Sequence, residues 1–285
     1  MLESNKLALV TGANSGIGLA TAKTLLDQKC RIIVADRQID RIQILCSEHE
    51  KILVHQVDLS LPDQVEAFCQ QISEMQDPVE ILVNAAGYSM RGVLEEVPLA
   101  YIRNIFDVNV FGLIRIIQAC LPGMREKRSG TIVNITSIAG KFTFPGNGPY
   151  AATKHAVEAF SDALRHEVAP FGIRVVAIRP AFIATEFNTV AKKMSEKIAA
   201  HSIPDYVPVV ERSTGGLGKM WAEVQPISPD EVASLIVHAV FSEKPQAAYA
   251  IGPMSEEFLR MRTELGDDEW TAFLDNKMGL NNLKV

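Results

Sequence analysis

Short runs of Val, Ile, Leu and Ala recur along the 285 residues, separated by longer stretches with helical spacing. The runs are Leu7–Val10, Arg31–Ala35, Ile52–Val54, Ile81–Val83, Thr131–Ile135, Ile173–Ile178 and Ala247–Ile251. Most are continuously apolar, as strands covered on both faces must be, because neither row of side chains meets water. Between them, Gly16 to Lys29 places Ile17, Ala20, Thr24 and Leu25 at helical spacing. Pro62 opens a second such stretch to Met75, and Phe160, Ala163, Leu164 and Val168 form a third. This β-α-β-α succession predicts an α/β fold: a doubly wound parallel sheet of about seven strands with helices on both faces and right-handed crossovers.

Two segments break the rhythm. The first, about 181–228, carries Phe182, Phe187, Val190, Met194, Tyr206, Met220 and Trp221, together with a glycine-rich stretch, Ser213 to Gly218, that reads as a loop. Its apolar residues either form a lid over a bulky substrate or cover the core. The second is a charged tail from about 253, with apolar residues at Phe258, Leu259, Met261, Trp270 and Phe273. Neither resembles an independent unit, so residues 1–285 are read as one domain with a substrate-covering insertion and a C-terminal extension.

Thr11-Gly12-Ala13-Asn14-Ser15-Gly16-Ile17-Gly18 follows the first strand directly and opens the first helix. A strand-to-helix turn this tight excludes Cβ atoms, and the N–H groups at the helix start can hold a pyrophosphate. The bland alternative is a sharp turn with close helix packing. Asp36 ends the second strand, about 20 residues past the glycines, where a carboxylate can accept hydrogen bonds from an adenine ribose. Such a carboxylate favours NAD, since it repels a 2′-phosphate. The neighbouring Arg37 keeps NADP open, and Asp36 could instead cap a turn.

Tyr150 and Lys154 lie four residues apart, on one helix face. A phenol has a pKa of about 10 in water and needs a nearby cation to exchange protons near neutrality. Ser137 follows the fifth run and falls at the C-terminal edge of the sheet, where ligands bind in open α/β folds. Asn109 stands inside an apolar helical stretch, a poor position by propensity. It marks either a kinked, water-satisfied helix or an inward amide that orders a proton-relay water.

The formal net charge of −6 argues against a nucleic-acid partner. Arg125, Lys127 and Arg128 read as a solvated turn. Cys30, Cys46, Cys69 and Cys120 form no C-x-x-C pair, and the histidines are scattered, so no metal site is expected. The N-terminus lacks a signal-peptide pattern, and Asp107, Asn109 and Arg115 interrupt the longest apolar region, Ile105 to Leu121. A cytoplasmic location without a membrane span is therefore expected. Gly216-Leu217-Gly218-Lys219 is not read as a phosphate loop, because Met220 stands where Ser or Thr is required.

Together these residues resemble the short-chain dehydrogenases/reductases, particularly their hydroxysteroid and secondary-alcohol members, over about residues 6–185. The family's glycine pattern matches Thr11 to Gly18, its Asn-Asn-Ala-Gly element matches Asn84-Ala85-Ala86-Gly87, and its adenine-binding position matches Asp58 and Leu59. The family's tetrad maps onto Asn109, Ser137, Tyr150 and Lys154. Its Pro-Gly element maps onto Pro180-Ala181, followed by Ile183 and Thr185. Ala85 and Ala181 depart from the pattern by a methyl or an amide, without removing a reacting group. The resemblance implies a Rossmann-type fold in which Gly12, Asn14, Ser15, Gly16, Ile17, Gly18, Asp36 and Arg37 line a nicotinamide cofactor site. The implied reaction is hydride transfer with a hydrophobic secondary alcohol or ketone, and Tyr88, Phe182 and Phe187 join Ser137 and Tyr150 around the substrate. In that scheme Lys154 lowers the Tyr150 pKa and Asn109 holds a relay water. A homodimer or homotetramer is also implied. The alternatives are an NADP-dependent ketone reductase and a non-catalytic dinucleotide sensor.

Overall fold

A computed structural model describes residues 5–48, 52–199, 203–281 and 283–284. Its strands are β1 (Leu7–Thr11), β2 (Arg31–Asp36), β3 (Ile52–Gln56), β4 (Ile81–Asn84), β5 (Gly130–Ile135), β6 (Ile173–Pro180) and β7 (Ala248–Ile251). The first six α-helices are α1 (Gly16–Asp27), α2 (Asp40–Glu48), α3 (Pro62–Ser73), α4 (Leu99–Phe106), α5 (Leu113–Lys127) and α6 (Gly148–Val168). They are followed by α7 (Phe187–Ala199), α8 (Val207–Ala222), α9 (Pro229–Phe241), α10 (Ser255–Glu264) and α11 (Asp267–Met278).

The seven strands form one parallel sheet in the order β3-β2-β1-β4-β5-β6-β7. Each apolar run identified in the sequence is one of these strands. All five residues of β1 and all four of β4 are buried, which explains their unbroken apolar character. Alternation along β1 divides the core: Leu7 and Leu9 join a cluster with Phe68, Ile116 and Val157, from α3, α5 and α6. Ala8 and Val10 join the opposite cluster with Leu25, Ile42 and Ile236, from α1, α2 and α9. Each such Leu, Ile or Val contributes about 1.5–3 kcal/mol through burial. Chain order reverses between β1 and β4, which opens a crevice at the C-terminal edge of the sheet.

Helices α4 and α5 run together through a π-helical turn, Asp107–Gly112. An 18-residue window within the combined segment Leu99–Lys127 has a mean hydropathy of 1.5, and the segment is long and apolar enough to cross a membrane by length and composition, but half of that window is buried inside the fold. Here Val110, Leu113, Ile116, Ile117 and Met124 supply one face of the core.

The stretch Ser213 to Gly218, read as a loop, lies within helix α8. Gly216 serves packing: a Cβ there would stand 2.6 Å from the Met278 Cα of α11. Close helix approach outweighs the low helix propensity of Gly at this position. Phe258, Trp270, Leu274 and Met278 of the tail form a fourth cluster with Phe142, Leu217 and Met220. The tail thereby covers the outer side of the crevice.

Candidate active site

The crevice is a cleft of about 570 Å³. At one end the β1–α1 turn is held by contacts that leave no room for side chains. Gly12 (φ +67°) donates its N–H to Ala35 O at 2.9 Å. A Cβ on Gly12 would lie 2.6 Å from Ala86 Cα, and one on Gly18 would lie 2.1 Å from Gly12 O. Ser15 is the N-cap of α1, yet its hydroxyl caps nothing, and the first turn carries no acid. The helix therefore presents free N–H groups to the cleft, suited to an anion.

Asp36 fastens this loop. Its Oδ2 accepts from Asn14 N at 2.9 Å and its Oδ1 accepts from Gln38 N at 3.0 Å. The Asn14 side chain continues the network: Oδ1 accepts from Arg41 N at 2.9 Å, and Nδ2 donates to Asp40 Oδ1 at 3.0 Å. Asp36 thus caps the β2–α2 turn and also lines the cleft. Beside it Arg41 pairs with Glu186 at 2.5 Å, whereas exposed Arg37 has no ion pair among the described residues. Asp58 folds its own turn, with Oδ1 accepting from Ser60 N at 2.9 Å and Ser60 Oγ at 2.7 Å.

Gly12, Asn14, Ser15, Gly16, Ile17, Gly18, Asp36, Arg37, Asp58, Leu59, Ala85, Ala86, Gly87, Pro180, Ile183 and Thr185 all line this cleft. Two residues assigned to the site do not line it. Asn84 is buried in the sheet, where its Nδ2 donates to Asn134 Oδ1 at 2.9 Å. Asn134 in turn donates to Ser161 Oγ at 2.9 Å, so Asn84 ties the sheet to α6 rather than lining the cofactor site.

The second is Asn109, in the π-helical turn. Its Oδ1 accepts from Tyr88 N at 3.0 Å, and its Nδ2 donates to Tyr88 O at 3.0 Å and Thr153 Oγ1 at 3.1 Å. These bonds clamp the backbone after β4 to α6. π-Helical turns recur at functional sites because the extra residue re-aims a side chain.

Where the two ends of the cleft meet, Ser137, Tyr150 and Lys154 line it together. Tyr150 and Lys154 lie on the buried face of α6, whose first turn accommodates Pro149. Ser137 follows β5; its hydroxyl donates to Pro180 O at 3.5 Å and lies near enough to the Tyr150 phenol to lower its pKa. Its Oγ also accepts from Ala139 N at 3.1 Å. The Lys154 ammonium donates to Ile135 O at 2.8 Å and stands 5.8 Å from the Tyr150 ring centroid.

Burial dominates the electrostatics of both groups. It pushes the Tyr150 phenol up to about 12, opposed by the nearby Ser137 hydroxyl. It pulls the Lys154 ammonium down to about 8, opposed by the Glu158 carboxylate. In the protein without cofactor, desolvation dominates the Tyr150 phenol.

The other end of the cleft is walled by large side chains. The Phe187 ring meets Tyr150 edge-on at 5.8 Å. Phe182 adopts a left-handed backbone (φ +51°), unusual for a bulky residue, and stacks on Trp221 at 5.1 Å. The positive φ falls on Phe182 and not on Ala181, so the extra methyl of Ala181 is tolerated. Met220, Val190, Met194 and Ser89 complete the wall, with Met254 and Phe258 from the tail. Tyr88 lines the cleft with its hydroxyl donated to Asn104 Oδ1 at 2.7 Å.

Other candidates turn away: Met90 is buried in the core, and the Tyr206 hydroxyl donates to Glu95 at 2.5 Å. Sequence reasoning missed Arg91 and Asn147, which also line the cleft. The Asn147 Oδ1 is buried without a partner among the described residues. Its place three residues before Tyr150 is the only signal in the sequence.

The short chain dehydrogenase family profile matches residues 6–196. A Helicobacter pylori protein described as a probable short-chain type dehydrogenase/reductase is 32% identical over 90% of this chain and 91% of its own length. The crystal structure of a short-chain dehydrogenase from Streptomyces avermitilis superposes with a TM-score of 0.81 at 29% identity, covering 99% of this chain and 100% of that one. The closed form of a serine dehydrogenase complexed with NADP+ superposes with a TM-score of 0.73 at 25% identity, covering 87% and 95%. Matching sequence and sheet topology over nearly the whole chain place this protein among the oxidoreductases of the short-chain dehydrogenase/reductase family.

Proposed function

We propose that the protein interconverts a hydrophobic secondary alcohol and its ketone, with NAD as the preferred cofactor. The observation that carries this reading is the convergence of Ser137, Tyr150 and the buried Lys154 in one cleft, at the strand ends where its backbone-lined and aromatic halves meet. The glycine turn, where a Cβ would collide with backbone, fits a dinucleotide, and Asp36 stands at the ribose end. The nicotinamide supplies or accepts the hydride.

The chain's own groups handle the oxygen and its proton. In oxidation the Tyr150 Oη takes the hydroxyl proton, and in reduction it returns one to the carbonyl oxygen. Ser137 Oγ holds that oxygen in line with the phenol. Lys154, protonated below about pH 8, stabilises negative charge as it develops on Tyr150. Asn109 acts at one remove, holding the Tyr88 backbone and α6 in register. Phe182, Phe187 and Trp221 exclude water from the reacting oxygen.

A second reading, NADP dependence, is favoured by the unpaired Arg37 and by the NADP+ complex of the serine dehydrogenase neighbour. The test is a panel of hydrophobic secondary alcohols and ketones assayed with each cofactor, alongside fluorescence titration of NADH and NADPH. Turnover with a kcat/KM at least about tenfold higher for NAD(H) is expected from the Asp36 carboxylate. Higher efficiency with NADP(H) would transfer the assignment to Arg37. Tight cofactor binding without turnover of any panel member would instead identify a dinucleotide sensor.

A further inference from the structure

The substrate half of the cleft contains one cation that the proposed chemistry leaves unused. Arg91 follows β4 by a few residues and is anchored through its backbone N–H to Ser195 Oγ of α7 at 3.1 Å. Its guanidinium lies over the Trp221 ring, 4.8 Å from the centroid, and Trp221 stacks in turn on Phe182. Among the described residues it forms no ion pair. Burial, with no carboxylate opposing it, pulls the group below its ordinary value.

The acids that line the cleft are all engaged elsewhere. Asp36 and Asp40 hold Asn14, Asp58 holds Ser60, and Glu186 pairs with Arg41. Arg91 lies against Trp221, which stacks on Phe182, and Met220 and Met194 line the same cleft. An unpaired guanidinium among apolar walls is unfavourable, and the planar fork of Arg matches a carboxylate through two parallel hydrogen bonds. Stacking on Trp221 offsets only part of that penalty.

We infer that the substrate is an amphipathic organic acid, with its apolar body against Phe182 and Trp221 and its carboxylate on Arg91. Arg91 is then a specificity residue remote from the hydride chemistry. The inference rests on the alcohol–ketone reading for the reaction itself, but the recognition of the anion can be measured without turnover.

The experiment is calorimetric titration of the full chain with octanoate and with octanamide, a neutral analogue of the same length. Wild type, Arg91→Met and Arg91→Lys are compared after thermal melts show that each folds. Wild type is expected to bind octanoate at least about tenfold more tightly than octanamide, Arg91→Met to lose that preference, and Arg91→Lys to keep part of it. Equal binding of both probes by wild type, binding of neither, or a preference that survives in Arg91→Met would each overturn the inference. A parallel assay uses 7-oxooctanoate and its methyl ester. Arg91→Met is expected to raise KM for the acid by about tenfold while kcat stays within about twofold, and to leave the ester unaffected. If neither ketone turns over while the octanoate preference holds, the reaction assignment fails and the anion site stands.

Discussion

The cofactor half of the cleft is walled by backbone and small residues, the substrate half by large side chains. In the first, Gly12, Gly18 and Ala86 approach so closely that a single added Cβ would collide with main-chain atoms. In the second, Phe182, Trp221, Phe187 and Met220 stand around open space, and their contacts are ring against ring. A wall made of backbone tolerates few sequences, because each position is limited by sterics. A wall made of side chains tolerates many, because rings and thioethers of similar volume substitute for one another. One half is therefore suited to a constant ligand and the other to a variable one. Tyr150, Ser137 and Lys154 stand where the two meet.

Substitutions in each half should break different steps. The largest effect is expected at the junction: Tyr150→Phe should lower kcat by about a thousandfold, with cofactor affinity unchanged in NADH titration. In the backbone half, Gly18→Ala should weaken NADH binding by at least about a hundredfold, since its Cβ would sit 2.1 Å from Gly12 O and displace the turn. Substrate KM in any residual activity should move far less.

Lys154 connects the two halves through pH. Its pKa in the folded protein, about 8, lies below its ordinary 10.5, so between these values the unfolded chain binds more protons than the native one. Stability relative to Lys154→Met should therefore rise with pH from 8 to 10.5, by on the order of 3 kcal/mol in urea unfolding. Tyr150 does not distort that window, because its displaced titration, from 10 to about 12, falls at the upper end and beyond. The smallest effect is expected in the side-chain half: Trp221→Ala should raise substrate KM by about tenfold and leave NADH affinity within about twofold.

The same contrast explains what could be read from the sequence. The central strands were visible because strands covered on both faces must be continuously apolar, and the half-exposed β3 and β7 because they keep a short Val/Ile/Ala run. The glycine turn was visible because steric exclusion fixes residue type and spacing together. Tyr150, Lys154 and Ser137 were readable from an i,i+4 pair and a strand end. Asn109 stood out by propensity and Asn84 only through the family pattern; neither shows its hydrogen-bond partners in the sequence, since a buried amide looks the same whether it faces a ligand or a backbone. Here Asn84 holds Asn134, and Asn109 holds Tyr88 and Thr153. Arg91 was invisible because its meaning depends on the absence of a partner, and only the fold sets which charges stand near it. Helix α8 was misread because Gly216 is selected by the approach of Met278 rather than by local propensity.

The central claim is that Tyr150 exchanges the proton and that its acidity is set jointly by burial and by charge brought to the junction. The most direct test is the ultraviolet absorbance of tyrosinate, taken as the difference between wild type and Tyr150→Phe and followed against pH with and without saturating NAD+. The account predicts that Tyr150 ionises near pH 12 in the free protein and at clearly lower pH when the cationic nicotinamide is bound. Ionisation near the ordinary value of 10 in the free protein, unmoved by NAD+, would contradict it.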